Sequence, residues 1–255
     1  MLLVTRREAA ADGMTAFRRY LHLSTGNDNA RTARLYTDIG YLSADPELTA
    51  AVDAVFQQLA SLSRLKPQRQ LLTAPFRLHR RMLDHVHDVA AAARTGRPGR
   101  IVIKCNALTD PALISALADA SQAGAQIDLI VRGACLLPGL PGVTDTVRVR
   151  SIVGRFLEHS RIYFFSWDDD DDSCCRLYLS SADWMSRNMF GRIELAWPVR
   201  DPKLRQRVID ECLVPYLHDG HDAWTLQADG HYRRAASQGP SAQAALLAKH
   251  AEVVQ

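Results

Sequence analysis

The strongest constraint on the fold is an internal repeat, found when the sequence is compared with itself. The segment "LSTGN" at Leu23–Asn27 matches "LSSAD" at Leu179–Asp183, 156 residues further along the chain. The same offset, without a gap, pairs three further sites: Asp38 with Glu194, Tyr41 with Trp197, and "DPEL" with "DPKL". Each Asp-Pro pair begins an amphipathic pattern typical of a helix, "DPELTAAVDAVFQQLASL" and "DPKLRQRVIDECLVPYL", with Asp as the N-cap. Four matches in register predict a duplicated unit.

In the second copy, the repeat begins with a hairpin. "RIYFF" and "CRLYLS" have the composition of strands, and they flank the loop "SWDDDDDSC". Antiparallel pairing brings the start of the first strand beside the end of the second. We therefore expect His159 and Arg161 of an HxR pattern to lie next to Ser180, Ser181 and Asp183. Glutamate precedes the histidine in "LEHSR", and either this carboxylate or the one in "LSSAD" could assist its protonation.

The first copy has a similar hairpin, predicted from "MLLVT" and "FRRYLHLS", which ends in Ser24, Thr25 and Asn27. The corresponding histidine should precede "LLVT", where the sequence has only Met1. His22 lies within the second predicted strand, and we interpret it as structural. The first unit is therefore expected to be incomplete.

Between the copies, helical and buried-strand patterns alternate. "APFRLHRRMLDHVHDVAAAAR" and "DPALISALADASQA" read as helices, and "RIVIKCN" and "QIDLIVRG" read as strands. Such alternation predicts a parallel sheet whose ligands lie beyond the carboxyl ends of the strands. Lys104, Asn106 and Arg132 fall at that edge and are candidates for a phosphate site. Lys104 and Asn106 could instead be exposed to solvent or cap a turn, and Arg132 could instead pair with a carboxylate.

Composition narrows the class of protein. The 255 residues are 47% hydrophobic and 23% charged, as in a globular protein of one or two domains, and no apolar run could span a bilayer. Five cysteines without CxxC spacing indicate reduced thiols in a cytoplasm, and argue against a zinc site. The net charge is +3. Residues 168–172 hold five of the 28 acidic residues, so the rest of the chain has 31 basic and 23 acidic residues. That surplus of eight suits a polyanionic partner.

The duplicated unit, with its HxR strand and Ser-rich turn, resembles the phospholipase D superfamily. Four longer segments are similar to the carboxyl-terminal domains of bacterial polyphosphate kinase: "STGNDNARTARLYTDIGYLSADPEL", "ALISALADASQAGAQIDLIVRGACLLPGLPG", "VRVRSIVGRFLEHSRIYFF" and "YLSSADWMSRNMFGRIELAWPV". The likeness runs from about Phe17 to Tyr232. It implies an α/β fold of two tandem phospholipase D-like units, with mixed, largely parallel sheets flanked by helices. We expect 1–65 to complete a first catalytic domain, 66–236 to form a second, and 237–255 to be a tail.

The resemblance also implies a function. Polyphosphate kinases pass the ATP γ-phosphate to a histidine and then to polyphosphate, with Mg²⁺. Tyr36 in "ARLYTD", Arg132 in "LIVRG" and His159 in "LEHSR" match ATP-site positions of the family, and His159 is the candidate catalytic residue. Lys104, Asn106, Arg161, Ser181 and Asp183 are candidate supports of the phosphate site. The family's phosphorylated histidine lies in an HAK motif, which is absent from this sequence, as are the arginines that help to hold magnesium.

These features predict the carboxyl-terminal portion of a polyphosphate kinase, with no metal ligands of its own. ATP or ADP and inorganic polyphosphate are the expected partners, a homo-oligomer is a further expectation, and nucleic acid is not expected. The expected location is the cytoplasm, with membrane association as a variant of it. Two alternatives stay open: an ATP- or polyphosphate-binding remnant without catalysis, and a phosphodiesterase of the wider superfamily, against which the arginine of HxR argues.

Two charged stretches are interpreted as solvated rather than functional. The run of aspartates at 168–172 sits at a hairpin tip and lacks the spacing of a metal loop. The basic positions of "FRLHRRMLDHVH" are read as a solvent-exposed helix face.

Overall fold

The fold is described from a computed structural model, in which residues 1–9, 15–63, 66, 68, 70–137, 144–168, 174–235 and 239–251 are described. Helices occur at α1 Pro46–Ala60, α2 Leu78–Arg94, α3 Pro111–Gln122, α4 Ser186–Gly191, α5 Pro202–Cys212, α6 Val214–Leu217 and α7 Ala242–Ala251, with a 3-10 turn at Thr32–Arg34. Strands occur at β1 Leu2–Ala9, β2 Thr15–Ser24, β3 Tyr36–Thr37, β4 Gly40–Ser43, β5 Leu72–Ala74, β6 Arg100–Cys105, β7 Gln126–Val131, β8 Val147–Ile152, β9 Leu157–Glu158, β10 Arg161–Ser166, β11 Cys175–Ser180, β12 Glu194–Pro198, β13 Ala223–Leu226 and β14 Tyr232–Arg234.

The two larger sheets correspond to the two copies of the repeat. A three-stranded sheet has the order β1-β2-β4, and a nine-stranded sheet has the order β14-β13-β8-β7-β6-β10-β11-β12-β5. Within the second sheet, β10-β11-β12 repeats the antiparallel arrangement of β1-β2-β4. The predicted hairpins and duplication are therefore confirmed.

The repeat extends to individual hydrogen bonds. Thr25 Oγ1 donates to Asp38 Oδ1 and accepts from the N–H of Ile39. At the equivalent positions of the second copy, Ser181 Oγ donates to Glu194 Oε2 and accepts from the N–H of residue 195. Corresponding leucines of the two copies, such as those at 23 and 179, pack into one shared core cluster. The copies are thus joined by apolar burial as well as by sequence.

The large sheet is mixed, as predicted, but its parallel part is smaller than expected. Only β6-β7 and β7-β8 pair in parallel, whereas the other six neighbouring pairs are antiparallel. The reason is the hairpin of the second copy: it joins the sheet beside β6, and each strand that follows along this side reverses direction. Helices cover both faces, so alternate residues of a central strand enter different cores. Ile103 belongs to one core cluster with Met82 of α2, and Val102 belongs to the other with Val52 of α1.

The helices begin at the predicted Asp-Pro caps, but one predicted helix is divided in two. Asp45, Asp110 and Asp201 accept hydrogen bonds from the first-turn N–H groups of α1, α3 and α5, each followed by proline. The single helix expected over "DPKLRQRVIDECLVPYL" is instead divided at Leu213 into α5 and α6. Pro215 explains the division, because proline lacks an N–H and clashes with the carbonyl four residues earlier.

The remaining expectations concern the aspartate run, the "LLPGLPG" loop, the carboxyl-terminal tail and one face of α2. The aspartates at 169–172 and most of the "LLPGLPG" loop lie outside the described residues. Residues 242–251 of the expected tail form α7, which packs against α6. His85, expected on a solvated face of α2, is instead buried. Among the helices that the structure describes, none is long and apolar enough to cross a membrane.

Candidate functional site

A short parallel ribbon of β3 and β9 brings the first copy of the repeat to the segment that carries His159. Tyr36 pairs with Leu157 and Thr37 with Glu158, and the N–H of His159 donates to the carbonyl of Thr37 at 3.3 Å. The site is therefore built at the junction of the two copies. Each of them supplies side chains to it.

The imidazole of His159 is held from two sides by the first copy. Its Nδ1 lies 3.1 and 3.2 Å from the two carboxylate oxygens of Asp38. The Tyr36 ring lies 4.9 Å from the imidazole, centroid to centroid, at 49°. The side chains of His159 and Asp38 are 19% and 18% exposed, so the pair is screened from water yet reachable by a ligand. Two residues carried over from the resemblance, Tyr36 and His159, thus lie side by side.

The turn that follows β2 fixes Asp38. Thr25 is 1% exposed, and its hydroxyl donates to Asp38 Oδ1 at 3.2 Å. The backbone of Gly26 passes so close that an added Cβ would come within 1.8 to 2.1 Å of the Asp38 carboxyl atoms. A side chain at this position would displace the carboxylate. The "STG" turn is therefore shaped around the partner of His159.

Arg161 forms a buried link beneath His159. It binds Asp183 through two nitrogens, Nε at 3.3 Å and Nη2 at 3.0 Å. Its Nη1 donates to the backbone carbonyls of Thr25 and His159 at 2.9 and 2.8 Å, and lies 3.1 Å from each ring nitrogen of that histidine. Burial alone would lower the pKa of Arg161, but Asp183 outweighs it and the pKa is raised. The guanidinium stays charged and joins both copies.

The link continues to the carboxyl ends of the parallel strands. Asp183 Oδ1 accepts from the N–H groups of Asn106 at 2.7 Å and Ala107 at 3.2 Å. Asn106 Oδ1 in turn accepts from Arg132 Nε at 2.6 Å. Within the described part of the chain, the side-chain hydrogen bond of Arg132 uses only Nε. The guanidinium of Arg132 is thus oriented by Asn106 at this edge.

A second buried network lies behind β9. Lys104 is 2% exposed, and its Nζ lies 2.8 Å from Glu158 Oε2 and 3.3 Å from the Tyr216 ring centroid. Glu158 also accepts from the Thr37 hydroxyl at 2.7 Å and from Gln243 Nε2 of α7 at 2.6 Å. Burial would lower the pKa of Lys104, but the attraction of Glu158 raises it overall, and burial raises the pKa of Tyr216 to about 12. Lys104 is thus a charged, fully paired residue.

These contacts correct part of the expected arrangement around His159. Its carboxylate partner is Asp38 of the first copy, whereas Glu158 is bound by Lys104 and Asp183 by Arg161. Ser180 and Ser181 do lie at the hairpin end, but their hydroxyls donate to residues 195 and 194.

The expected phosphate-site supports divide into two groups. Asn106 and Arg132 are half-buried at the strand edge. Lys104, Arg161 and Asp183 are buried and engaged, so they hold the site together rather than face a ligand. The alternation of side chains along β6 accounts for Lys104: Cys105 enters the α2–α3 core, and Lys104 faces the opposite side.

Sequence reasoning missed three residues that shape the site. The repeat aligns Asp38 with Glu194, and this match of two acidic residues could have indicated a polar role for Asp38. Thr25 had a similar signal in its match to Ser181. No sequence pattern could have identified Gln243, because its hydrogen bonds to Glu158 and to the backbone of Phe156 depend on how α7 packs.

The pairing register shows where a second histidine would stand. Arg161 pairs with Ser180 in the second copy, and Leu2 pairs with His22 in the first. When β1 is superposed on β10 through the repeat offset, the position equivalent to His159 falls three residues before Met1. Residues 1–255 therefore hold one histidine of the pair that the repeat predicts.

Comparison with known families agrees with this geometry. The family model described as "Polyphosphate kinase C-terminal domain 1" matches residues 1–65, and the one described as "Polyphosphate kinase C-terminal domain 2" matches 71–245. The chain belongs to the polyphosphate kinase family. The resemblance found in the sequence is thereby confirmed.

Individual relatives in the polyphosphate kinase family support the same conclusion. A polyphosphate kinase of Burkholderia lata is 50% identical over 252 residues, and one of Paraburkholderia phytofirmans is 46% identical over 252 residues. Both alignments cover 98% of this chain and 36% of the relative, so the chain spans about a third of the length of these curated relatives. The crystal structure of polyphosphate kinase from Porphyromonas gingivalis matches 94% of the chain and 37% of its own, with a TM-score of 0.84 and 33% identity.

Proposed function

We propose that this chain supplies the ATP-facing half of a phosphoryl-transfer site that exchanges phosphate between ATP and inorganic polyphosphate. The observation that carries the proposal is the placement of His159 against Asp38 and Tyr36, with Arg132 at the neighbouring strand edge. Phosphoryl transfer depends mainly on positioning and charge stabilisation, and this arrangement offers an oriented imidazole and a guanidinium.

His159 would act as a proton donor or acceptor to a phosphate oxygen or to the leaving group. The N–H at Nδ1 donates a hydrogen bond to Asp38 and fixes the ring, and Nε2, which also lies 3.1 Å from Arg161 Nη1, is the nitrogen proposed to contact the ligand. With Nε2 also protonated, the imidazolium can donate to a phosphate oxygen and neutralise developing charge. Because Asp38 orients the ring, the contact between the two copies is part of the proposed chemistry.

Arg132 would bind the phosphates of ATP, and Tyr36 would contact the nucleotide. A guanidinium binds phosphate oxygens through a planar fork, and Asn106 already fixes one side of the Arg132 fork through Nε. Its terminal amino groups then point their hydrogen bonds in a defined direction. Tyr36 is half-buried beside His159, where an aromatic ring can contact both the histidine and a bound ligand.

We propose that the phosphohistidine of the family forms on a histidine outside this chain, at the position equivalent to His159 in the first copy. No HAK motif occurs in the sequence, and His159 matches the family's supporting position. His159 would therefore serve the nucleophile rather than carry the phosphate. A second candidate function, binding of ATP or polyphosphate by this chain without turnover, rests only on the missing HAK motif.

Magnesium stays a prediction from the resemblance. Within the described ranges, no group of three or more His, Cys, Asp or Glu side chains could hold a metal ion. Asp38 faces His159, and Asp183 is bound by Arg161 and two backbone N–H groups. These residues do not fit a protein-built magnesium site, and no step of the proposed transfer depends on one. Cytoplasmic location, membrane association and assembly into a homo-oligomer likewise remain proposals.

Labelling with γ-labelled ATP tests the proposed function. Labelled polyphosphate in the mixture would show turnover, whereas acid-labile label on the chain would contradict the supporting role proposed for His159, because a histidine within residues 1–255 would then carry the phosphate. Binding of ATP that weakens in Arg132→Ala, without either label, would support the second candidate. Failure to bind ATP or polyphosphate would contradict both. An Arg148→Ala variant serves as the control, because Arg148 is an exposed arginine paired with Asp128.

A further inference from the structure

The first turn of α7 reaches the segment that carries His159. Gln243 is the second residue of α7 and is 4% exposed. Its Oε1 accepts a hydrogen bond from the N–H of Phe156 at 2.8 Å. Its Nε2 donates to the carbonyl of Phe156 at 2.9 Å and to Glu158 Oε1 at 2.6 Å. The oxygen and both N–H groups of the buried amide are therefore engaged.

The Gln243 amide takes the place of a neighbouring strand beside β9. On one side of β9, the N–H groups of Leu157 and His159 donate to carbonyls of the first copy. Phe156, one residue before β9, directs both of its backbone groups to Gln243 instead. Successive residues of a strand form backbone hydrogen bonds on opposite sides, so the amide completes the pairing on the second side. A primary amide suits this position because it offers a donor and an acceptor together, as a peptide group does.

The position of Gln243 is also fixed by the residues before it. The N–H of Ala242 donates to Asp219 Oδ2 at 2.7 Å, and the Ser241 hydroxyl donates to Asp222 Oδ2 at 2.7 Å. Asp219 is 3% exposed and also accepts from two backbone N–H groups of its own loop. The start of α7 is thus attached to the loop that precedes β13, and the amide extends from a fixed point.

Gly154 leaves the room that the amide requires. An added Cβ at this position would lie 2.6 Å from Gln243 Oε1 and 3.0 Å from Asp222 Oδ2. Such an approach is too close for a carbon atom, so a side chain here would displace the amide. Glycine is the residue that permits this closeness. The segment before β9 is therefore shaped around Gln243.

Glu158 connects Gln243 to the ribbon of β3 and β9. Glu158 Oε1 accepts from Gln243, whereas Oε2 lies 2.8 Å from Lys104 Nζ and accepts from the Thr37 hydroxyl at 2.7 Å. The carbonyl of Thr37 also accepts the N–H of His159. The amide thus acts on the histidine by two routes, one through the backbone before β9 and one through the Glu158 carboxylate.

We propose that Gln243 is a positioning residue for His159. By holding the backbone three residues before the histidine and the carboxylate next to it, the amide sets where the imidazole lies relative to Asp38 and Tyr36. It follows that α7, which lies in the expected tail, belongs to the site. The consequence for ATP rests on the proposed function, whereas the effect on the ring rests on these contacts alone.

Nitrogen chemical shifts of the His159 imidazole, measured on the whole chain without ligand, test this role because they report how the ring is held. Gln243→Met keeps the length of the side chain and removes its hydrogen bonds. Gly154→Ala displaces the same amide without changing it. The matched control is Ser241→Ala, which loosens the same end of α7 and leaves the amide in place. We expect the shifts to move toward a mixture of tautomers in the first two variants and to stay unchanged in the control.

ATP affinity and stability separate positioning from a general loosening of α7. Calorimetry should show that ATP binds Gln243→Met about tenfold more weakly, and Ser241→Ala within about twofold of the unchanged chain, as expected when one hydrogen-bonding group is misplaced. Urea unfolding should show a lower midpoint for both variants. A similar midpoint with a different ATP affinity is the result that a purely structural role does not produce.

Unchanged His159 shifts in both Gln243→Met and Gly154→Ala would overturn the positioning role, and so would an equal change in Ser241→Ala. If Gln243→Met does not fold, the shifts of Gly154→Ala decide alone. Equal ATP affinity in all the variants, with altered shifts, would overturn the consequence for the ligand. Altered shifts in a chain that binds no ATP would refute only the proposed function.

Discussion

Asp38 Oδ1 lies 3.1 Å from Nδ1 of His159, and the two residues come from different copies of the internal repeat. The contact exists because β3 pairs with β9 and aligns the end of one copy with the start of the other copy's hairpin. The imidazole is therefore oriented by a residue 121 positions away in the chain.

The first prediction concerns the proton on His159. In the neutral ring, Asp38 should hold the proton on Nδ1, so Asp38→Ala should shift the tautomer toward a proton on Nε2. We also expect ATP to bind this variant about tenfold more weakly, which is the order expected for the loss of a charged hydrogen bond. Nitrogen chemical shifts of the imidazole report the tautomer, and calorimetry reports the affinity. Asp28→Ala removes an exposed carboxylate near His22 and is the control. An unchanged tautomer in Asp38→Ala would show that the contact does not orient the ring.

The second prediction concerns the turn beneath Asp38. Gly26→Ala would place a methyl group within 2.1 Å of the Asp38 carboxyl atoms, so the carboxylate must move. We expect a loss of about 1 to 3 kcal/mol in the free energy of unfolding, measured in urea, together with weaker ATP binding. Gly191→Ala is the matched control, because its added methyl group would meet no atom within 4 Å. Equal stability of the two variants would contradict the close approach.

The third prediction concerns the buried pair of Lys104 and Glu158. Removing one charge leaves the other buried and unpaired, so Lys104→Met should cost about 3 to 5 kcal/mol of unfolding free energy. Replacing both, in Lys104→Met/Glu158→Gln, should recover a large part of that loss, as urea unfolding would show. A double variant as unstable as the single one would mean that packing, rather than charge pairing, dominates.

The same pair predicts a change in stability at alkaline pH. The folded-state pKa of Lys104 is raised, so its contribution to stability is fully present below the ordinary value of 10.5 and is lost as pH rises through the folded value. Unfolding free energies measured from about pH 8 to 12 should fall more steeply for the unchanged chain than for Lys104→Met. Parallel curves would contradict the raised pKa.

His85 predicts a pH dependence of the opposite direction. Its folded-state pKa is lowered to about 4 from 6.5, so the unfolded chain takes up its proton first as the pH falls. Stability associated with His85 is complete above pH 6.5 and is lost between 6.5 and 4, by about 3 kcal/mol at most. His85→Asn should flatten the curve of unfolding free energy over this range. The same slope in both proteins would show that His85 titrates normally.

The sequence predicted the parts of the fold that depend on local pattern and on the repeat. The Asp-Pro helix starts and the two hairpins were visible because caps, prolines and alternating apolar residues act over a few positions. The prediction that the sheets are largely parallel was wrong, because no local pattern shows that the second hairpin adds to the sheet beside β6.

The site was predicted less completely, for a physical reason. His159, Tyr36 and Arg132 followed from the family motifs, but the pairing of Asp38 with His159 depends on β3 and β9, each two residues long and without periodicity. Lys104 was placed at the ligand edge from its position near the end of β6. Its side chain faces the interior beside Glu158, and that partner can be identified only when both strands are in place.

The most direct test of the central claim is an ATP titration followed through the imidazole signals of the nine histidines. The His159 signal is assigned by its loss in His159→Gln. The account predicts that this signal shifts with ATP and saturates, and that the response is lost in Arg132→Ala, while the exposed His231 is unaffected. An ATP response confined to His85, or no response at His159, would contradict the placement of the ATP site between the two copies.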